Sequence, residues 1–267
     1  MNNAARPPCR GKAAMTGKWI GVTDDQAVRR IELDRPDKAN ALTAAMMAAI
    51  ARAVREAVAA DAELLVISGK GRRGFCAGAD IKEFAQGEDY LKAQENALCE
   101  LIHAFADSPL PVFVFAHGRT LGAGGILASL ADVVLAADNL LLGFPEIRFN
   151  MYPVIVHAAL MQKVSAPFAS QLCTTGRLLN AAEAQATGLV SEVLPTPDFD
   201  AEAENRLRFF SERRAALTMA KRAARATLPV EPLRQRLALL APMMMENYRR
   251  PAVQEMIAGH LIRRKPR

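Results

Sequence analysis

Apolar and polar residues alternate with two different periods in the first part of the chain. A period of two between residues 27 and 34 predicts a half-buried strand, carried by Arg30, Ile31, Glu32 and Leu33. Pro36 then predicts a turn, and Thr43 is a residue type that caps helices. A period of four follows on one face of a predicted helix, at Met46, Ile50, Val54 and Val58.

The order of strand, glycine-rich turn and helix continues beyond this helix. Further short strands are predicted at residues 64–67, 111–116, 133–136, 140–142 and 189–194. A second helix is predicted by apolar residues that share one face: Leu91, Leu98, Ile102 and Phe105. Long amphipathic runs dominate after residue 201. The pattern predicts an α/β core over residues 18–195, a helical region over residues 196–267 and a disordered tail over residues 1–17.

The composition is that of a globular protein with one sizeable core. Apolar residues make up 51% of the 267 residues and charged residues 23%, which excludes the disordered, collagen-like and disulfide-scaffold classes. The longest uncharged apolar stretch, residues 120–131, ends at Asp132 and is shorter than the roughly 18 residues of a membrane span. The sequence therefore predicts a soluble protein.

The cysteines and histidines do not form a metal or disulfide pattern. Cys9, Cys76, Cys99 and Cys173 have no paired spacing, and the four histidines are scattered. Residues 1–14 contain no apolar region of the kind that marks a secretory signal. These features predict a protein without bound metal that resides in the cytoplasm.

Most of the positive charge lies at the two ends of the chain. Of a formal net charge of +6, the first four basic residues and the last four contribute +8, which leaves the body at −2. They are Arg6, Arg10, Lys12 and Lys18, then Arg263, Arg264, Lys265 and Arg267. With 6% aromatic residues and no basic stripe beside stacking rings, the body is not expected to bind nucleic acid.

Three glycine-rich segments are candidates for chemistry. GKGRRG at residues 69–74 formally matches the dinucleotide motif G-x-G-x-x-G, but it does not open directly into a predicted helix, so it gives little support for nucleotide binding. CAGA at residues 76–79 and GAGG at residues 122–125 each follow a strand and can present backbone N–H groups. A helix beginning near Ala123 would add its positive dipole end, which suits an oxygen that gains negative charge. From spacing alone, tight packing turns are the favoured interpretation of these loops.

A set of motifs in a fixed order resembles the crotonase superfamily, the enoyl-CoA hydratase/isomerase family. The motifs are LDRPDKANAL at residues 33–42, FCAGADIK at 75–82, LGAGG at 121–125, AD at 131–132, GFPEI at 143–147, TGR at 175–177 and GLV at 188–190. The resemblance covers nearly the whole chain from Trp19 onward. It implies an α/β fold built as a spiral of ββα units, with a helical C-terminal region that forms trimers or hexamers.

The resemblance also implies a substrate and a binding site. In such proteins two backbone N–H groups bind the carbonyl oxygen of an acyl-CoA thioester as it becomes an enolate, and the matching residues are Ala79 and Ala123. CoA is expected to enter only as part of the substrate, with no other cofactor, and its adenine end is expected near residues 77–82. The expected CoA-binding residues are Lys38, Ala39, Ala77, Ala79, Asp80, Ile81, Lys82 and Lys265.

The carboxylates decide which reaction the resemblance implies. Family hydratases carry two glutamates; one position corresponds here to Ile126 and the other to Glu146. A single carboxylate favours an isomerase-type shift of a double bond, because one base can remove a proton at one carbon and return it two carbons away. A hydratase with an unidentified second acid or base is the alternative. A non-catalytic or RNA-binding relative that uses the basic tails is a further one.

Other polar residues carry weaker hypotheses. His117 is interpreted as a core or turn histidine, and Asp80 and Asp132 as hydrogen-bond acceptors in a loop and at a strand end. The segment after Glu146 departs from the glycine-rich family pattern, so Asn150, Tyr152 and His157 are candidates to line the acyl pocket.

Overall fold

The computed structural model describes residues 14–227 and 230–263. Seven strands form the main sheet, in the order β1 (Ala14–Gly17), β2 (Ile20–Asp25), β3 (Val28–Leu33), β4 (Leu64–Gly69), β5 (Val112–Ala116), β7 (Val133–Ala137) and β10 (Glu192–Leu194). Strand β2 pairs antiparallel with both β1 and β3. In the rest of this order, each strand from β3 onward pairs parallel with the next one. A second sheet contains β6 (Arg119–Leu121), β8 (Leu141–Gly143) and β9 (Leu178–Asn180). The predicted α/β class is confirmed.

Eleven helices are described along these residues. They are α1 (Ala44–Glu56), α2 (Ile81–Phe84), α3 (Glu88–Asp107), α4 (Ala123–Leu130), α5 (Val154–Leu160), α6 (Ala166–Thr175), α7 (Ala181–Ala186), α8 (Phe199–Ser211), α9 (Arg214–Thr227), α10 (Glu231–Tyr248) and α11 (Pro251–Arg263). The last strand ends at Leu194, and only helices follow it in the described residues, as the amphipathic pattern predicts.

The strands of the main sheet bury side chains on both faces. Along β4, Leu65 and Ile67 pack in the larger core with α1, α3 and α4, whereas Leu64 and Val66 pack with α8 on the opposite face. Successive residues of a strand point to opposite faces, so a central strand of a covered sheet must be apolar on both. This explains why β4 is apolar from Leu64 to Ile67 and β5 is apolar throughout, whereas β3 alternates.

Helix α1 begins as the sequence predicts and ends earlier. The side-chain oxygen of Thr43 accepts a hydrogen bond from the backbone N–H of Met46, which satisfies one of the free donors of the first turn. The apolar residues Met46, Ile50 and Val54 are buried. Val58 was expected on the same face, but the helix ends at Glu56 and Val58 is 50% exposed in a short 3-10 turn.

The prediction of a disordered tail over residues 1–17 is wrong for residues 14–17. Residues 14–17 form β1, which pairs with β2, and residues 1–13 lie outside the described residues. The side chains of most basic residues at the two ends are also outside the described part, so the interpretation of the tails as an RNA-binding feature stays a prediction. No helix in residues 14–227 or 230–263 is both long and apolar enough to cross a membrane.

Candidate active site

The first glycine-rich loop holds the N–H of Ala79 in a fixed position. Leu42 N–H donates to the carbonyl of Gly78 and Asp80 N–H donates to the carbonyl of Leu42, both at 2.8 Å. These two hydrogen bonds fix the backbone of the loop on either side of Ala79. Within the described residues, the N–H of Ala79 itself donates no hydrogen bond. It is therefore available to a ligand.

Asp80 anchors this loop through its buried carboxylate. One oxygen accepts from the backbone N–H of Lys82 and so caps α2, and the other accepts from Arg35 Nη1 at 2.6 Å. Arg35 also donates to the carbonyl of Ala41 and stacks on the ring of Trp19, 4.5 Å from its centroid. Asp80 is therefore a structural acceptor, as its loop position predicts.

The second loop places the N–H of Ala123 at the start of a helix. Gly122 N–H donates to the carbonyl of Gly143 at 2.9 Å, and Ala123 is the first residue of α4. The first N–H groups of a helix have no partner within it, and they lie at its positive dipole end. In the described residues the N–H of Ala123 donates no hydrogen bond. The second predicted donor thus has the geometry that the sequence suggests.

The two loops are in direct contact. A Cβ added to Gly124 would lie 2.5 Å from the backbone oxygen of Cys76, so the loops approach at a distance that only glycine allows. Leu121 N–H donates to the carbonyl of Cys76, which adds a bond between them. The tight-turn interpretation fits this contact, because glycine allows the close packing and the packing brings the two alanine loops together. The donor interpretation stays a prediction.

Glu146 lies against the second loop, and one of its carboxylate oxygens is shielded from water. It follows β8 in the 3-10 turn Pro145–Phe149, and its Oε1 would be only 2.8 Å from a Cβ on Gly122. Its Oε2 is buried and has no hydrogen-bond partner among the described residues. Burial raises the pKa of the Glu146 carboxyl from 4.5 to about 7, because the charged form loses its hydration.

A pocket in two parts surrounds these groups. The outer cavity has a volume of about 120 Å³ and the inner cavity about 70 Å³. Ala79, Glu146 and Met151 line both, so the two cavities meet at the first N–H donor and the carboxylate. Ala123 lines the inner cavity. A carbonyl oxygen bound by the two N–H groups would therefore lie at the junction, with an apolar chamber beyond it.

The inner cavity is apolar where family hydratases carry a glutamate. Ile126 lies on α4, is fully buried and lines the inner cavity together with Leu98 and Val156. The side chain at this position can neither accept nor donate a proton. Among the described residues that line the inner cavity, Glu146 and Tyr152 are the two with titratable side chains.

The polar residues Tyr152 and Gln94 both line the inner cavity, and the sequence predicted only the first. Tyr152 was predicted to line the acyl pocket and does so, with its hydroxyl 2.9 Å from Nδ1 of His157. Gln94 was missed, although it lies between Leu91 and Leu98 on the apolar face of α3 and is 2% exposed. A lone glutamine inside an apolar stripe was the available signal. Asn150, by contrast, is exposed and ends the 3-10 turn.

Three of the eight predicted CoA-binding residues line the outer cavity. Ala77, Ala79 and Ile81 line it. Ala77 N–H donates to the carbonyl of Ala39 at 2.9 Å, which brings the turn of residues 36–39 beside the first loop. The side chains of Lys38 and Lys82 are exposed on these two segments. Lys265 lies outside the described residues.

The remaining candidates have structural partners. His117 Nε2 lies 2.7 Å from the carbonyl of Gly71, which agrees with its interpretation as a turn histidine. Asp132 accepts from Lys221 Nζ at 2.9 Å and from the N–H of Val112 at 2.8 Å. In residues 14–227 and 230–263 no group of three or more histidine, cysteine, aspartate or glutamate side chains is arranged to hold a metal ion.

Comparison with known proteins identifies what the chain is similar to. Residues 23–267 match the family described as enoyl-CoA hydratase/isomerase. The chain is 36% identical over 214 residues to a protein of Mycobacterium tuberculosis named probable enoyl-CoA hydratase echA8, covering 78% of this chain and 82% of the relative. It is 27% identical over 222 residues to the mouse protein named enoyl-CoA delta isomerase 3, peroxisomal, covering 79% and 70%.

Solved structures agree with these relatives. The crystal structure of an enoyl-CoA hydratase from Mycobacterium avium subsp. paratuberculosis matches with a TM-score of 0.81 and 28% identity, covering 93% of this chain and 98% of that one. The match confirms the crotonase-like fold that the sequence motifs imply. Because relatives carry both hydratase and isomerase names, the similarity does not separate the two reactions.

Proposed function

Since the chain belongs to the enoyl-CoA hydratase/isomerase family and is an enzyme of the crotonase superfamily, we propose that it shifts the double bond of an enoyl-CoA thioester. In this proposal the N–H groups of Ala79 and Ala123 bind the thioester oxygen, and Glu146 carries the proton. The observation that carries the proposal is the single carboxylate at the junction of the two cavities, in an inner cavity that the apolar Ile126 also lines.

The proposed reaction takes one proton from one carbon of the acyl chain, returns one to another carbon and shifts the double bond, with no net change in protons or electrons. Ionised Glu146 removes a proton from the carbon next to the thioester carbonyl of a 3-enoyl-CoA. The electrons of that C–H bond form a dienolate whose negative charge rests on the thioester oxygen. Glu146, now protonated, returns the proton to the carbon two positions further along, and the conjugated 2-enoyl-CoA forms. No water and no second base take part.

The N–H groups account for the stability of the dienolate. Both are fixed before the substrate binds, so no reorganisation is needed as charge develops on the oxygen. Removing one donor of this kind costs about 2.7–4 kcal/mol of transition-state stabilisation in other enzymes. Because both donors are backbone groups, alanine side chains at positions 79 and 123 are compatible with the role.

The properties of Glu146 suit a group that both takes and returns a proton. Its pKa is raised by burial to about 7. A carboxyl with this pKa is half ionised near neutral pH and holds a proton strongly enough to deliver it again. A carboxylate at its ordinary pKa would be a weaker base by more than two pKa units.

Hydration is the second candidate function, and Tyr152 is the observation that favours it. Addition of water requires a second group that orients the water or exchanges a proton with it. Tyr152 lines the inner cavity with Glu146, and burial raises the pKa of its phenol, so the phenol stays protonated. The hydroxyl can therefore donate to a water or an oxyanion, with His157 as its hydrogen-bond partner.

Further parts of the proposal follow from the family resemblance. The CoA moiety of the substrate would lie along the outer cavity, with its adenine end near residues 77–82 and its phosphates near Lys38 and Lys82. No cofactor other than this CoA is proposed. The helical region after residue 195 would assemble the protein as a trimer or hexamer. Light scattering on the purified protein tests the assembly.

Isotope exchange and product analysis test the function. Matched 3-enoyl and 2-enoyl CoA thioesters are incubated with the protein in deuterated water, and products are identified by mass and NMR. We expect conversion of 3-enoyl to 2-enoyl thioesters with deuterium uptake, at rates above hydration. Glu146→Gln should abolish exchange while thioester binding persists, because the amide cannot act as a base.

Two results would overturn the isomerase proposal. Fast hydration of a 2-enoyl thioester that survives Glu146→Gln would show that another base is in use. Hydration that requires Glu146 and is lost in Tyr152→Phe would support the hydratase instead. The conservative Tyr152→Phe change removes the hydroxyl alone, so an isomerase that relies on Glu146 should retain its rate in this variant.

A further inference from the structure

The side chain of Tyr152 extends from the inner cavity toward the surface between α5 and α6. It lines the inner cavity, and its hydroxyl lies 2.9 Å from Nδ1 of His157 on α5. Ser170 and Thr174 on α6 lie within hydrogen-bonding reach of the same oxygen. Thr174 is exposed, and the other two partners are half-buried. The hydroxyl end of Tyr152 thus faces the outside of the protein, and one ring separates the inner cavity from the surface.

The rest of the inner-cavity wall is better covered. Most residues that line this cavity are buried, and in the described part of the chain four are not: Ala79, Glu146, Tyr152 and Met244. Ala79 and Glu146 also line the outer cavity, through which the substrate would enter. Met244 packs against the larger core and against a smaller apolar cluster that includes α11. Apart from the entrance, the wall is therefore thinnest at Tyr152.

The ring of Tyr152 is held in place at both ends. The backbone carbonyl of Tyr152 accepts from the N–H of Val154 at 2.9 Å and from Asn247 Nδ2 on α10 at 3.4 Å. At the other end, the hydroxyl bonds to His157, whose ring packs edge-on against the phenol with 5.8 Å between the ring centroids. A tyrosine whose polar tip has a partner and whose ring is packed keeps one orientation. The ring is thus a fixed part of the wall.

We propose that Tyr152 closes the inner cavity and thereby restricts the enzyme to short acyl chains. The inference rests on the proposed function, because it takes the inner cavity as the place of the acyl group of a CoA thioester. A volume of about 70 Å³ holds roughly five water-sized groups, so an acyl chain of about the length of hexanoyl fills it. A longer chain would have to displace the ring of Tyr152 and break its hydrogen bond to His157.

The burial of methylene groups makes this limit measurable. Each methylene that leaves water for an apolar cavity should tighten binding about fourfold. In the wild-type protein this gain should continue up to about hexanoyl-CoA and then stop. Dodecanoyl-CoA should bind more weakly than hexanoyl-CoA, because its extra carbons have to displace packed side chains.

Calorimetry on a series of saturated acyl-CoA thioesters, from acetyl to dodecanoyl, tests the proposal. Saturated chains have no double bond to shift, so the result does not depend on turnover. Tyr152→Ala removes the ring and opens a path between α5 and α6. Octanoyl-CoA should then bind roughly tenfold tighter than hexanoyl-CoA, and dodecanoyl-CoA at least as tightly as octanoyl-CoA. Tyr152→Phe keeps the ring, so it should keep the wild-type limit.

Met47→Ala is the matched control for an enlarged cavity. Met47 lines the inner cavity as well, but it lies on α1 and is fully buried in the larger core. Its truncation adds volume without opening the cavity to the surface. Octanoyl-CoA can gain affinity in this variant, but dodecanoyl-CoA should still bind more weakly than octanoyl-CoA. Circular dichroism establishes that each variant is folded. If Tyr152→Ala does not fold, Tyr152→Leu, whose side chain is apolar and shorter than tyrosine, replaces it.

The outcomes separate this inference from the proposed function. If the wild-type protein binds dodecanoyl-CoA as tightly as hexanoyl-CoA, no length limit exists and the inference is wrong. Dodecanoyl-CoA binding that improves as much in Tyr152→Phe or in Met47→Ala as in Tyr152→Ala would also overturn it, because the ring of Tyr152 would not be the barrier. If no acyl-CoA thioester binds to the folded wild-type protein, the proposed function itself fails.

Discussion

The carboxylate of Glu146 lies directly against the backbone of Gly122. A Cβ on Gly122 would come within 2.8 Å of Glu146 Oε1, and the backbone of Gly122 has a φ of 49°. Gly122 immediately precedes Ala123, whose N–H is the second proposed oxyanion donor. The absence of a side chain at one residue thus brings the base and the oxyanion donor together.

Gly122→Ala should therefore damage catalysis more than it damages folding. The new methyl group would displace the carboxylate of Glu146 and strain the loop that holds the N–H of Ala123. Misplacing a catalytic group by about 1 Å can cost on the order of 100-fold in rate. We expect a loss of that size in kcat for proton exchange, measured by deuterium uptake into a thioester substrate.

Gly188→Ala is the matched control for this change. Gly188 also has a left-handed φ, 80°, but a Cβ there meets no atom within 4 Å. Both variants place alanine at a positive φ, which costs roughly 1 kcal/mol or more of stability, and the cost is larger at Gly122, whose ψ of −117° lies outside the left-handed helical region. Only Gly122→Ala contacts Glu146. Equal loss of activity in the two folded variants would show that the contact with Glu146 is not the cause.

The raised pKa of Glu146 predicts the pH dependence of the reaction. The ionised carboxylate is the base, and burial raises its pKa to about 7. Below that pH the free enzyme holds a proton on Glu146 and cannot abstract another one. The kcat/KM for proton exchange should therefore rise with pH and reach half its maximum near pH 7. A rate that is already constant from pH 5 upward would contradict this assignment.

The same shift predicts that Glu146→Gln stabilises the protein in a pH-dependent way. A carboxyl whose pKa rises from 4.5 to about 7 on folding favours the folded state only while it is protonated. As pH rises from about 4.5 to 7, wild-type stability falls by up to about 3 kcal/mol, because the carboxyl ionises in the unfolded chain while burial keeps it protonated in the folded one. The uncharged amide does not titrate, so the variant escapes this loss.

Urea unfolding at two pH values measures this effect. At pH 8 the Gln variant should be more stable than the wild type, and near pH 4 the difference should be smaller by about the same 3 kcal/mol. A difference in stability that does not change between the two pH values would mean that Glu146 titrates at its ordinary pKa.

The pair of Arg35 and Asp80 should contribute far more to stability than a surface pair. The two side chains are only 10% and 11% exposed, and Arg35→Met would leave the Asp80 carboxylate buried without its charged partner. Such a loss costs roughly 3–5 kcal/mol. Arg55, whose pair with Glu100 is about half exposed on both sides, gives the control Arg55→Met with a cost under about 1 kcal/mol. Denaturant unfolding compares the two, and equal costs would contradict the role of Asp80 as an anchor.

The order of strands and helices in the core could be predicted because apolar periodicity carries it. Residues 28–33 and 64–67 have clear patterns, and both form strands at the predicted places. Strand β2 was missed because four of its six residues are polar or glycine, and β6 and β9 are three residues long, too short to show a period. Their strand geometry comes from pairing with neighbours, which a local pattern does not contain.

The sequence could predict which residues form the candidate site better than it could predict how those residues are arranged. The motifs point to Ala79, Ala123 and Glu146, but the contact between Glu146 and Gly122 joins segments that are distant in sequence. Gln94 was missed because its signal is a single polar residue on an apolar helix face. Its hydrogen-bond partners, Asp80 and Glu83, lie at the start of α2 and within it. Whether such a residue faces a cavity depends on how three helices pack, which local periodicity does not describe.

The last prediction concerns the position where family hydratases carry a second carboxylate. Ile126→Glu places a carboxyl in the inner cavity beside Glu146, where it can orient a water molecule and exchange a proton with it. We expect the ratio of hydration to isomerisation to rise by about tenfold or more, since a positioned acid or base typically contributes more than that. Two neighbouring carboxyl groups resist simultaneous ionisation, so the pH profile of proton exchange should shift upward as well. The new buried carboxyl should also lower stability by several kcal/mol.

Ile126→Met keeps the volume and remains apolar, so it should cost less than about 1.5 kcal/mol and leave both the ratio and the pH profile unchanged. An unchanged ratio in folded Ile126→Glu, with substrate binding intact, would show that the residue at position 126 does not determine which reaction the enzyme performs.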